Sequence, residues 1–243
     1  MKVIKLNAID STNSYLKELV ANTLVGDELV VTALKQEKGR GQQGATWQSQ
    51  TGKSLTCSLF KRFEGILAAD HFLLNMMVSL GVLDALQQLK IPEVRIKWPN
   101  DIMSHGNKVA GILIENQIKG HYIDSSVIGI GLNVNETSFV ELPQATSLTM
   151  VTGRKFDVDQ VLQLIAKSIF KKLQAAQFSK FEFIRNSYCE NLFRKDIISV
   201  FETKEGDRKN GIIKGISRNG KLIISHEDTL GVAYDLKEIK LLV

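Results

Sequence analysis

The sequence predicts an α+β protein: a mixed, mainly antiparallel sheet with helices, followed by a small C-terminal β-barrel. Three observations predict it. Strand-like runs such as "ELVVTAL", "SLTCSLF" and "GHYIDSSVIGIGLNVN" outnumber helical stretches over the larger, N-terminal part of the chain. The segment from Asp70 to about Leu89 is apolar all round its axis, which marks a buried helix for that sheet to pack against. Beyond about residue 193 the pattern changes to short alternating strands divided by glycine or charged turns. The 243 residues suffice for one large core with a small satellite, with expected boundaries at 1–190 and 194–243.

Taken in order, "DSTNSYLKELV" offers Ser11 or Thr12 as an N-cap, and Tyr15, Leu16, Leu19 and Val20 follow at helical spacing. "ELVVTAL" reads as a buried strand entering a glycine-rich loop, and "SLTCSLF" as the strand leaving it. After the buried helix, "VRIKW" is a strand that stops at Pro99. "NDIMSHGNKVAGILIE" reads as a hairpin, with Gly106-Asn107 suited to a type II′ turn. "GHYIDSSVIGIGLNVN" pairs next, its glycines marking places where the backbone must approach something closely. Asp157 with Gln160 resembles a capped helix start, and Val161, Leu162, Ile165, Ile169 and Leu173 form one apolar stripe. "DIISVFE", "RKNGIIKGIS", "GKLIISHE", "LGVAYDL" and "EIKLLV" are the short strands of the satellite.

Composition excludes several classes. With 44% hydrophobic and 23% charged residues and three prolines, the chain is an ordinary folded globule without repeats or low-complexity tracts. The start, "MKVIKLNAID", lacks the apolar core of a secretory signal. The most apolar run, "FLLNMMVSLGVLDAL", is interrupted by Asn75 and Asp84, so it is expected in the core rather than in a membrane. Cys57 and Cys189 form no C-x-x-C unit and read as reduced residues of a cytoplasmic protein. His71, His105, His121 and His226 show no ligand spacing, so no built-in metal site is expected. A net charge of +5 suits an anionic ligand; with no basic run, DNA binding is not expected.

The loop "KGRGQQGATW" places Gly39, Gly41 and Gly44 at G-x-G-x-x-G spacing. A dinucleotide fold needs a helix directly after those glycines, and "ATWQSQTGKS" has no helical stripe before the next strand. A P-loop needs lysine after the last glycine, and Ala45 stands there. What remains is either a plain flexible loop or an anion site. Arg40 between two glycines favours the second, because backbone N–H groups beside a guanidinium suit a phosphate or carboxylate. Trp47 is either a core residue or a cover over an apolar ligand.

A second cluster, "KWPND", compresses Lys97, Asn100 and Asp101 around a proline corner, and Lys108 opens "KVAGILIE". Either segment alone is consistent with a strand end and solvated lysines. Together they bring two ammonium groups and a carboxylate to neighbouring strand ends, where they can neutralise a triphosphate and a carboxylate. Asp101 can hold Mg²⁺ or orient an amine.

At these residues the chain resembles the biotin protein ligases. "STN" (Ser11 to Asn13), "GRGQQGATW", "KWPND", "KVAGILIE" and "GIGLNVN" occur in that family's order and approximate spacing, and the resemblance covers nearly the whole chain. It implies a class II synthetase-like catalytic fold with a C-terminal Src-homology-3-like barrel. It also implies an enzyme that makes biotinyl-5′-AMP from biotin and ATP with Mg²⁺, then biotinylates a lysine of a biotin carboxyl carrier protein. By the same resemblance, Ser11, Thr12, Asn13 and Gln36 surround the ureido end of biotin. Arg40 and Gly41 sit at the carboxylate and α-phosphate, Lys108 reaches that junction, and the loop, with Gln42 and Trp47 among the biotin-binding residues, closes over the vitamin and its adenylate. Lys97, Asn100 and Asp101 shape the reaction centre, Asn133 lies near the adenine, and "QATSLTMVTGRKFD" folds over the adenylate.

Two departures stand out. Family members often carry arginine where this chain has Gln42, which can donate a hydrogen bond but cannot neutralise charge, so weaker retention of the intermediate is expected. Members that double as repressors have an N-terminal DNA-binding domain, and the stretch before Ser11 is too short for a helix-turn-helix, so no DNA partner is expected. Exposed sheet edges in such folds offer a route to a homodimer. A lipoate or octanoate ligase is the nearest rival, and a non-enzymatic sensor of biotin or nucleotide is the rival from another class. The chemistry needs no enzyme nucleophile, consistent with the lack of a Ser-His-Asp or activated-cysteine pattern.

Overall fold

The computed structural model describes residues 1–140, 142–174 and 181–242. In chain order its first part contains β1 (Lys2–Ile9), α1 (Thr12–Asn22), β2 (Leu29–Gln36), β3 (Ser54–Arg62), α2 (His71–Gln88), β4 (Arg95–Lys97), β5 (Asp101–Ser104), β6 (Asn107–Lys119) and β7 (Tyr122–Asn133). Then come α3 (Leu148–Thr152), α4 (Val158–Gln174), α5 (Phe181–Glu190), β8 (Ile198–Thr203), β9 (Arg208–Ile216), β10 (Leu222–Ser225), β11 (Val232–Tyr234) and β12 (Ile239–Leu241).

Seven strands form one sheet in the order β1-β2-β3-β7-β6-β5-β4. Only β1 and β2 run parallel; the remaining neighbours are antiparallel, which is the mixed, mainly antiparallel sheet the sequence predicts. From β4 to β7 the strands follow one another through short turns that suit antiparallel pairing, whereas β1 reaches its parallel neighbour β2 through the crossover helix α1. Strand β1 itself is not marked out by the sequence. It is an edge strand with lysines at Lys2 and Lys5 and much of its surface exposed, so its apolar signal is weak.

Helix α2 is long and apolar enough to cross a membrane, yet it is largely buried against the sheet and α4. Each Leu or Met hidden there contributes roughly 1.5–3 kcal/mol. Gly81 lets α4 come close, because a Cβ at that position would lie 2.8 Å from the Ile169 Cα. The stripe of α4 points inward as predicted, and Asp157 caps the helix by accepting from the backbone N–H groups of Asp159 (2.8 Å) and Gln160 (3.3 Å).

Two local expectations are corrected. Ser11 occupies the N-cap position of α1, but its hydroxyl makes no capping bond. The Thr12 N–H is instead taken by the Gln36 side-chain oxygen at 2.8 Å, so a distant side chain satisfies the helix end and Ser11 is left for the cavity described below. In the β5–β6 hairpin, Asn107 pairs with Ser104, so the turn residues are His105 (φ 48°) and Gly106 (φ 77°). Both have positive φ, the type I′ pattern rather than II′. A register shift between Ile102 and Met103 lets Ser104 pair with Asn107 and leaves a two-residue turn.

The C-terminal strands form a second, antiparallel sheet in the order β11-β10-β9-β8-β12. Its core residues, Phe201, Ile213, Leu222 and Ile239 among them, join the main hydrophobic cluster. It is seated on the "KWP" corner: the Trp98 indole N–H donates to the Gly220 carbonyl at 2.8 Å, and Phe72 fills the space that a Cβ on Gly220 would need. The last residue of "EIKLLV", Val243, lies outside the described residues.

Candidate active site

The floor of the site is a track of glycines on the central strands. A Cβ on Gly131 of β7 would come within 2.3 Å of the Trp47 indole, and one on Gly111 of β6 within 3.2 Å. A Cβ on Gly129 would sit 2.4 Å from the Asn13 side-chain oxygen. These glycines therefore make room for two side chains laid flat against the sheet, which is the close approach their spacing predicts. The loop that delivers Trp47 folds on itself: Trp47 N–H donates to the Gly39 carbonyl (3.0 Å) and Gly41 N–H to the Ala45 carbonyl (2.7 Å). Gly39 cannot carry a side chain, since its Cβ would meet the Trp47 carbonyl oxygen at 2.3 Å, and Gly44 has φ 85°. The glycine pattern is thus a folded flap over the sheet, not a turn into a helix.

Two chambers flank Trp47. The first, about 200 Å³, is lined by Ser11, Thr12, Asn13, Gln36, Arg40, Gly41, Gln42, Trp47, Asn100, Asp101 and Lys108, together with the glycine track. The second, about 380 Å³, is lined by Lys97, Asn133, Phe139, Leu142 and Pro143. Thr46, Trp47, Asp101 and Lys108 face both. The residues singled out from sequence therefore converge, with Arg40 and Lys108 on one shared cavity and Lys97 and Asn133 in the adjoining one.

The closed end of the first chamber is a buried chain of neutral polar groups. Gln36 Oε1 accepts from the Thr12 hydroxyl (3.0 Å) as well as from its N–H. The Ser58 hydroxyl lies 2.7 Å from Thr12 Oγ1 and 2.5 Å from Asn13 Oδ1. Asn13 donates from Nδ2 to Glu115 at 2.9 Å. Because every member is buried or half-buried and partnered, the donors and acceptors are fixed before any ligand arrives.

The open side carries the charge. Lys108 pairs with Asp101 at 2.7 Å. Burial pulls the Lys97 ammonium below the usual lysine range; Asp101 opposes this, while the like charges of Lys108 and Lys240 add to it. Arg40 donates to Glu115 (3.1 Å) and to the Ser14 hydroxyl (3.3 Å). Asn100 is structural as well as lining: its Nδ2 donates to the Ile112 carbonyl at 2.8 Å. Asn133 is buried and donates to the Thr146 carbonyl at 2.9 Å, tying β7 to the segment before α3. The Trp47 indole N–H is buried with no hydrogen-bond partner among the described residues.

Ser58 and Glu115 escape the sequence reading. Both sit inside runs, "SLTCSLF" and "KVAGILIE", legible only as strands. The alternation of Ser54, Thr56 and Ser58 within a buried strand was the available signal, since one polar face in a core strand must be hydrogen-bonded to something.

Comparison with known proteins places this geometry. The profile of the biotin/lipoate A/B protein ligase family matches residues 6–133, more than half of the chain. A biotin–[acetyl-CoA-carboxylase] ligase of Paracoccus denitrificans is 35% identical, over 88% of this chain and 90% of that protein. The bifunctional ligase/repressor BirA of Escherichia coli is 29% identical over 93% of this chain and 70% of its own length. Its Bacillus spizizenii counterpart is 36% identical over 67% of this chain, which spans about half (51%) of that protein. A biotin protein ligase from Aquifex aeolicus, solved with biotin and ATP, superposes with a TM-score of 0.80 at 27% identity, covering 99% of this chain and 98% of that one. The chain belongs to the biotin/lipoate A/B protein ligase family.

Proposed function

We propose that the chain is an ATP-dependent biotin–protein ligase. It forms biotinyl-5′-AMP from biotin and ATP, then passes the biotinyl group to a lysine of a biotin carboxyl carrier protein. The observation that carries this reading is the pair of chambers meeting at Trp47, Asp101 and Lys108, the layout an adenylate with two unlike ends requires.

A carboxylate does not acylate an amine in neutral water, so the biotin carboxylate first attacks the α-phosphorus of ATP. This forms the acyl–phosphate bond of the adenylate and breaks the α–β phosphoanhydride bond, with pyrophosphate as the leaving group. Both partners are anions, and the barrier is repulsion plus the entropy of alignment. Biotin is apolar except at its ureido ring and carboxylate. Ser11, Thr12, Asn13 and Gln36 read the ring, and the prior ordering of Thr12 and Asn13 by Ser58, and of Gln36 by Thr12, lowers the cost of binding. Arg40 and Lys108 balance the charge where carboxylate and phosphate meet, with Gly41 and Gln42 beside them in the flap. The second chamber takes the nucleotide, with Lys97 at its phosphate side and Asn133 at its adenine side. Trp47 forms the wall between the two chambers.

Mg²⁺ accompanies the triphosphate. Such ions keep several waters and need only one or two carboxylates, so Asp101, the carboxylate facing both chambers, fits that role beside Lys108. After adenylate formation, the carrier lysine attacks as a free amine and AMP leaves. The test is mass spectrometry of a purified biotin carboxyl carrier domain incubated with the protein, ATP and either biotin or lipoate. A biotinyl adduct that depends on both biotin and ATP is expected; lipoylation without biotinylation would overturn the assignment.

A further inference from the structure

Glu115 lies on β6 behind the first chamber, and none of the roles above uses it. Its carboxylate gathers three donors: Lys17 Nζ (2.9 Å) and Arg40 Nη2 (3.1 Å) on Oε1, and Asn13 Nδ2 (2.9 Å) on Oε2. The side chain is 20% exposed, and among the described residues Glu115 is the carboxylate that pairs with Arg40. One acidic group thus touches both the buried neutral end of the site and the cationic open end.

We propose that Glu115 is a positioning residue for adenylate formation, holding the Arg40 guanidinium over the first chamber and fixing the Asn13 carboxamide at the ureido end. The inference rests on the ligase reading above. A guanidinium has five N–H donors in a rigid fork. Arg40 gives Glu115 and Ser14 one contact each and still lines the cavity, so donors remain for an incoming anion. Holding the fork on one side orients the rest. On the other oxygen, the bond from Asn13 Nδ2 decides which way that amide faces, leaving its Oδ1 toward Ser58. Without the carboxylate, Asn13 Nδ2 is left, among the described residues, with the long bond to the Leu113 carbonyl (3.5 Å), so the amide is held less firmly. Burial pushes the Glu115 carboxyl upward, but the bonds from Lys17 and Asn13 and the charges of Arg40 and Lys17 outweigh it, keeping the group ionised at neutral pH.

The test is biotin-dependent exchange of pyrophosphate into ATP, without carrier, for wild type, Glu115→Gln, Arg40→Ala and the double variant, with melting temperatures alongside. Glu115→Gln is expected to raise the KM for biotin about tenfold, the scale of one charge-assisted contact, with a smaller change in kcat. In the Arg40→Ala background the same change should cost markedly less, because part of its effect passes through that arginine. Glu115→Asp keeps the charge, serves if Glu115→Gln melts early, and should recover part of the loss. Unchanged or tighter biotin use by Glu115→Gln would overturn the proposal, as would full additivity with Arg40→Ala or no recovery in Glu115→Asp. Absence of biotin-dependent exchange in the unmodified chain would instead refute the ligase reading itself.

Discussion

The two ends of the first chamber are built by opposite strategies. At the closed end, Thr12, Asn13, Gln36 and Ser58 are neutral, largely buried and already bonded to one another. At the open end, Arg40 and Lys108 are charged, partly solvated and held by single ion pairs, to Glu115 and Asp101. Neutral hydrogen-bond readers work by being fixed, because a misaligned buried donor costs about 1–3 kcal/mol. Cations that are to meet an incoming phosphate and carboxylate cannot be locked in the same way, since the anion must replace part of their resting contacts. Under the proposed reading, recognition and activation fall in different physical environments of one cavity.

The comparison breaks most sharply at Lys108. Lys108→Ala should reduce biotin-dependent pyrophosphate exchange by about 10²-fold or more while biotin affinity falls far less, because the ammonium acts where charge develops. Exchange rates and calorimetric titration of biotin measure the two effects separately, and equal losses in both would move Lys108 to the recognition end. Next in size is Gly129→Ala, whose new methyl would collide with the Asn13 side-chain oxygen. It should weaken biotin binding by about tenfold, the scale of a 1–3 kcal/mol overpacking cost, with little change in the exchange rate at saturation. Titration with biotin checks it; unchanged affinity would show that Asn13 does not belong to the fixed end.

Gln42→Arg sharpens the contrast from the other side. Adding a cation to the flap should slow escape of free biotinyl-5′-AMP several-fold, roughly the effect of one exposed charge pair, without altering biotin affinity. Trapping the released adenylate with free lysine analogues measures it. The smallest effect is expected at Cys57, a buried lining residue whose thiol burial pushes up to about 12. Such a thiol is not a thiolate at neutral pH. Cys57→Ser should therefore retain exchange activity within about twofold, at some cost in melting temperature for a buried hydroxyl. Loss of activity without unfolding would mean a covalent route.

How much of this was legible in the sequence depends on how far each signal travels along the chain. The stripe of α4, the buried α2 and the hairpin from Asp101 to Glu115 rest on local periodicity, and all three stand in the structure. Strand β1 was not legible, because its place comes from parallel pairing with β2 rather than from its own apolar pattern. The helix-end bond from Thr12 to Gln36 spans 24 residues, so the residue before the helix looked like its own cap when a distant amide does the work. The motif residues were found because glycine, tryptophan and clustered charges are conspicuous. Glu115 and Ser58 were not, since a carboxylate within a strand is ordinary until the fold brings Asn13, Lys17 and Arg40 to it. The turn falls on His105-Gly106 rather than Gly106-Asn107, because the strand pairing of Ser104 with Asn107, which the local residues do not reveal, decides it.

The central claim is that one ligand spans both chambers across Trp47. A crystal structure with a non-hydrolysable analogue of biotinyl-5′-AMP tests it most directly. The ureido ring should lie against Thr12 and Gln36, the linkage beside Arg40 and Lys108, and the adenine beyond Trp47 near Asn133. An adenine on the ureido side of Trp47, or a linkage out of reach of Lys108, would contradict it.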